Sequence, residues 1–128
     1  MNIGEAARRS GVPAKTIRYY EGIGLIPAAG RTNSGYRDYG SGEVETLKFI
    51  SRARSLGFSV KDVGDLLQLW RDRERASADV KAIAAGHVAA VERKIAELEG
   101  IRQTLLGLMS CCHGDDRPDC PILQELAG

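Results

Sequence analysis

The sequence predicts a mostly α fold: a winged helix-turn-helix, one long helix built for coiled-coil pairing, and a C-terminal loop that carries all the cysteines. Three observations predict it. Aromatic residues are only 5% of the 128, so the core rests on Leu, Ile, Val and Ala, which favours helix on helix. Apolar residues recur at helical spacing through residues 77–109, more than so small a chain can bury by itself. The three cysteines fall between positions 111 and 120, too close together to staple distant parts of a fold.

The first helix covers residues 2–9, with Ile3, Ala6 and Ala7 on one face. Ser10-Gly11-Val12-Pro13 breaks it. Pro13 suits the first turn of a second helix that ends near Tyr20 or Glu21. Two short helices about a tight glycine turn make a helix-turn-helix, whose second helix enters the major groove of a DNA duplex. Lys15, Thr16, Arg18 and Tyr19 are its outward positions.

Gly22, Gly24 and Pro27 end that helix. Ser34-Gly35 is a turn signal flanked by Arg31-Thr32 and Tyr36-Arg37, which predicts a small β-ribbon, or wing, with arginines on its arms. Ser41 is expected to cap a helix over residues 42–56, with Val44, Leu47, Phe49, Ile50 and Ala53 inward. Ser59-Val60-Lys61-Asp62 has capping-box spacing and opens a helix that stops near Arg71. Residues 1–70 then form the DNA-binding domain and 71–76 a hinge.

Ser77 starts the longest helix, over residues 77–109, about 50 Å at ~1.5 Å per residue. From Ala84 through Val88, Val91, Ile95 and Leu98 the steps are four, three, four and three, a heptad-like seam. Ile101, Leu105 and Leu108 follow after one slip of phase. Such a stripe needs another chain, and a homodimer is the economical answer. His87 reads as a surface or seam residue.

Residues 110–128 form a loop and a last short helical turn, packed down by Ile122, Leu123 and Leu126. The loop brings Cys112 and Cys120 together. Two thiolates without a third strong ligand suit a soft monovalent ion: Cu(I), Ag(I) or Au(I). Cys111, Cys112, His113 and Cys120 would add up to a four-ligand zinc site, although adjacent residues rarely both face one tetrahedral metal. A catalytic cysteine would want a base and an oxyanion hole, and no such set accompanies these, so the chain does not read as an enzyme.

The net charge of +1 divides into +4 over residues 1–58 and −3 over residues 59–128. A histone-like binder is excluded, while a basic N-terminal half is one footprint of phosphate binding. Met1 to Glu5 is no secretory signal, and the longest mostly apolar stretch, Ala82 to Val91, is far short of the ~20 residues a membrane span needs. The expected setting is the cytoplasm, with reduced thiols.

Ile17-Arg18-Tyr19-Tyr20-Glu21, Gly24-Leu25-Ile26, and Arg31 through Asn33-Ser34-Gly35-Tyr36-Arg37-Asp38-Tyr39 resemble the signature of the MerR family of transcription regulators. Arg54, two residues before Leu56-Gly57-Phe58, also fits. Cys112-x₇-Cys120-Pro121 resembles the family's CueR-type, copper-sensing branch, as does Ser77 where divalent-metal sensors place a third cysteine. Cys111 and His113 are extra to that pattern.

The resemblance implies an antiparallel coiled-coil dimer that binds double-stranded promoter DNA and, on binding metal through Cys112 and Cys120, distorts the DNA so that RNA polymerase reads both promoter elements. Lys15, Arg18, Tyr19, Arg31, Tyr36, Arg37 and Arg54 are the expected DNA contacts, mostly to phosphate, with Arg18 the base reader. Two alternatives stay open: a zinc or other divalent sensor of the same family, and a cytosolic metal-buffering thiol protein.

Overall fold

A computed structural model of the chain describes residues 1–111 and 113–128; the expectation for Cys112 falls outside the described residues. The described chain is mostly helical, in the order α1 (Ile3–Ser10), α2 (Ala14–Gly22), β1 (Gly30–Arg31), β2 (Arg37–Asp38), α3 (Ser41–Ser55), α4 (Val60–Arg71), α5 (Ser77–Ser110) and α6 (Pro121–Ala127). It divides into two compact units, Met1–Ile83 and Ala84–Gly128.

In the first unit, the Asn2 side chain accepts from the Glu5 N–H and starts α1. Gly11, at φ +76°, stops it in the left-handed conformation that glycine adopts without strain. Pro13 is the cap immediately before α2. Ile17 and Tyr20 of α2 point inward, while Lys15, Arg18 and Tyr19 are exposed. Strands β1 and β2 pair antiparallel, with Gly30 opposite Asp38 and Arg31 opposite Arg37. Gly35 makes their turn at φ +83°.

The cap of α3 differs from expectation. It is Gly40, not Ser41, because the Glu43 carboxylate reaches back and accepts from the Gly40 N–H at 2.9 Å. An acid at the third helical position satisfies that donor whatever side chain precedes it. Ser59 caps α4 as its spacing predicts, accepting from the Asp62 N–H at 3.1 Å.

Helix α1 packs on α2 and α3, and α3 packs on α4. Leu47, Ile50, Ile17 and Val63 are fully buried at the centre, with Ala6 and Leu67 beside them. Each large aliphatic side chain buried this way stabilises the unit by about 1.5–3 kcal/mol. Phe49 lies at the edge and stacks on Trp70. Between α4 and α5, Arg75 Nη1 donates to the carbonyl oxygens of Trp70 and Asp72 at 3.3 and 3.1 Å, satisfying acceptors that a helix end leaves open.

The second unit holds most of α5, the cysteine loop and α6. Helix α5 buries none of its side chains. Val88, Val91, Ile95, Leu98, Ile101 and Leu105 are all 41–60% exposed. The expected packing of α6 is found only in part. Ile122 is half-buried, but Leu123 and Leu126 are 64% and 75% exposed, because seven residues offer only one narrow apolar face. No helix among the described residues is long and apolar enough to cross a membrane.

Candidate nucleic-acid interface and metal loop

The exposed face of α2 and the wing lie on the same unit. Arg18 of α2, Arg31 of β1, Tyr36, and Arg37 of β2 line one shallow groove of about 230 Å³, which Asn2 and Ile3 also line. Sequence reasoning put these four residues on DNA, and folding brings them together from three segments. Lys15 and Tyr19 sit on the exposed side of the same helix without lining the groove. Tyr36 is 74% exposed, the least packed aromatic in the chain.

Three of the arginines also hold the protein itself. Arg31 Nη1 donates to the Gly35 carbonyl at 2.9 Å and clasps the wing turn. Arg54 Nη1 donates to the Phe58 carbonyl at 2.6 Å and closes the turn between α3 and α4. Arg37 Nε lies 3.3 Å from Glu21 Oε2. A guanidinium has five N–H donors, so one bond to the protein leaves the rest of the fork for phosphate.

The burial of Glu21 is not among the sequence-based expectations. Its side chain is only 4% exposed. Oε1 accepts from the Tyr39 hydroxyl at 2.5 Å, and Oε2 is buried without a hydrogen bond. Burial first, and then the Glu21 carboxylate, push the Tyr39 phenol up to about 12. Helical periodicity does place residue 21 one turn from the buried Ile17, and that was the only available signal.

In the second unit, Cys111 is exposed at the end of α5 and Cys120 is half-buried as the residue before α6, where Pro121 takes the first helical position. His113 is exposed. Asp115 orders the loop between them, accepting from Arg117 N at 2.9 Å and from Arg117 Nε at 2.9 Å. These bonds hold its carboxyl below the usual range. Among the described residues no three His, Cys, Asp or Glu side chains gather as a metal site, so Cys111, His113 and Cys120 do not form one.

Comparison with known proteins agrees along the whole chain. A family model described as MerR HTH family regulatory protein matches residues 1–70, and one described as MerR, DNA binding matches residues 44–108. The chain is 61% identical over 127 residues to heavy metal-dependent transcription regulator 2 of Rhizobium meliloti, covering 99% of this chain and 86% of that one. It is 41% identical over 128 residues to the HTH-type transcriptional regulator CueR of Escherichia coli O157:H7, covering 100% and 95%. Among solved structures it resembles the transcription regulator PbrR691 of Ralstonia metallidurans CH34 in complex with lead(II), with a TM-score of 0.85, 30% identity and 98% coverage of both chains.

Proposed function

This chain belongs to the MerR family of helix-turn-helix regulators, and from that premise we propose that it is a homodimeric, metal-responsive transcription activator. It binds promoter DNA through α2 and the wing, and senses monovalent copper, with Ag(I) or Au(I) as alternatives, through Cys112 and Cys120. The observation that carries the DNA reading is the groove that unites Arg18, Arg31, Tyr36 and Arg37. Relatives named for heavy metals and for CueR support the sensing half.

Lys15, Arg18 and Tyr19 face the major groove, while Arg31, Tyr36 and Arg37 grip flanking phosphates. Arg54 supports the turn after α3 and contacts phosphate beside it. The uncovered stripe of α5 pairs with the same stripe of a second copy, which sets the spacing of two half-sites. Cys112 and Cys120 lose their thiol protons on binding the ion. Two thiolates around one monovalent ion would leave the site with one net negative charge and would cross-link the ends of the loop. The loop and the end of α5 respond by favouring the dimer geometry that bends and untwists the promoter, to the extent that the ion binds that geometry more tightly. RNA polymerase then engages both promoter elements. Ser77, in place of a third thiol, leaves the site short of the donors a divalent ion requires.

A divalent-metal reading is favoured by the likeness to regulators solved with lead(II) and with mercury(II). Promoter-driven transcription with Cu(I), Ag(I) and Zn(II) separates the two. Wild type is expected to respond to Cu(I) and Ag(I), and Cys112→Ser and Cys120→Ser to neither. A response to zinc alone overturns the metal assignment. A copper response kept in Cys112→Ser and lost in Cys111→Ser moves the ligand to Cys111. Absence of sequence-selective duplex binding in a gel shift would leave the metal-buffering reading in place of the regulator.

A further inference from the structure

We propose that Glu21 is a positioning residue of the DNA-binding surface: its buried carboxylate ties α2 to the wing and sets the guanidinium of Arg37 in the groove. The proposal rests on the DNA-binding reading above.

Glu21 stands at the end of α2, one turn beyond Arg18. It reaches the wing at two points. Tyr39, itself 2% exposed and next to β2, donates its hydroxyl to Oε1 at 2.5 Å. Arg37 of β2 sets Nε 3.3 Å from Oε2, the oxygen that has no hydrogen bond. A buried carboxylate with one hydrogen bond is costly unless a cation faces its other oxygen. Arg37 is that cation, and its Nε edge is turned towards the protein. Its Nη groups are the part of the fork suited to a phosphate. Arg18 and Arg31 line the same groove as Arg37, the cation that Glu21 faces.

The charge of Glu21 has a second consequence. A negative group under a cationic groove weakens the general attraction for phosphate. If orientation is what Glu21 provides, removing its charge acts in opposite directions on selective and unselective binding. A role in folding alone acts on both alike.

The test uses the full dimeric chain and fluorescence anisotropy. One duplex is selected from a randomised pool by the wild-type protein; the other is its scrambled counterpart. Glu21→Gln keeps the side-chain volume and an acceptor for Tyr39. It is expected to weaken binding to the selected duplex about tenfold, the size of one lost charged contact. Binding to the scrambled duplex stays equal or tightens. In an Arg37→Ala background the same change is expected to alter selected-duplex affinity less than about twofold, because the two act through one contact. Circular dichroism gives the folded fraction of each variant. Equal losses on both duplexes, or additive losses with Arg37→Ala, overturn the role of Glu21 while leaving the DNA reading intact. A wild-type protein that selects no sequence overturns both.

Discussion

The rings of Phe49 and Trp70 stack with centroids 4.4 Å apart and planes 10° from parallel. They join α3 to α4 where Trp70 is still 43% exposed. Ala53, Leu56 and Leu66 line the groove beside them. The pair is expected to contribute about 0.5–1.5 kcal/mol beyond its buried area. Urea unfolding of Phe49→Ala, Trp70→Ala and the double variant measures it. A coupling near zero would mean that the rings are merely adjacent.

Tyr39 makes stability depend on pH at the alkaline end. Its phenol is pushed up to about 12 in the fold, against 10.0 ordinarily. Between those values the unfolded chain binds fewer protons than the folded one, so stability falls as pH rises. The contribution is complete below about pH 10 and is lost through about pH 12. Tyr39→Phe should remove this alkaline loss. It should also destabilise the chain by about 1–3 kcal/mol at neutral pH, because Glu21 Oε1 loses its donor. Melting temperatures from pH 7 to 11 check both. A wild-type profile that is no steeper than that of Tyr39→Phe would contradict the assignment.

Local signals explain what the sequence disclosed. The Gly11 turn, the Ser34-Gly35 turn, the Ser59 cap and the period of α5 each depend on residues a few positions apart, and each is found. What escaped is pairing over longer separations or competition between neighbours. Glu21 meets Tyr39 across 18 positions, and no pattern within α2 announces it. Gly40 displaces Ser41 as cap because Glu43 supplies the acceptor for its N–H. Arg31, Arg37 and Arg54 were legible as cations, but their duties inside the fold were not.

Arg31 and Lys15 should therefore fail differently. Lys15 is exposed, so Lys15→Ala should weaken all duplexes and reduce the salt slope by about 1. Arg31→Ala removes the bond to the Gly35 carbonyl as well. Its loss should include a looser wing and a change in sequence preference. Affinity against salt concentration, on selected and scrambled duplexes, distinguishes the two. Identical behaviour would mean that the wing clasp has no bearing on DNA.

The stripe of α5 predicts the oligomeric state. Ile95 and Leu98 are 60% and 54% exposed in the single chain, in the middle of the helix. Burial of one such side chain against a partner is expected to contribute about 1.5–3 kcal/mol. A glutamate in its place adds the cost of a desolvated charge. Leu98→Glu is expected to shift the protein from dimer to monomer in sedimentation velocity at micromolar concentration. Operator binding should fall with it, since one copy reads one half-site. A variant that stays dimeric would place the interface elsewhere.

Ser77 tests the donor count. A linear two-thiolate site has no place for an ion that demands four ligands, whereas a third thiolate begins to satisfy a divalent one. Ser77 is the first residue of α5, where its side chain is exposed and free to be exchanged without a cavity. Ser77→Cys is expected to keep the fold and to add a transcriptional response to Zn(II) beyond that of the wild type. Adding Cys120→Ser should abolish the responses to both metals, because the new thiol supplements the pair and does not replace it. If Ser77→Cys stays blind to zinc while its copper response is intact, donor count at this position does not set the selectivity. The charge and shape of the loop around Asp115 and Arg117 would then be the next determinant to vary.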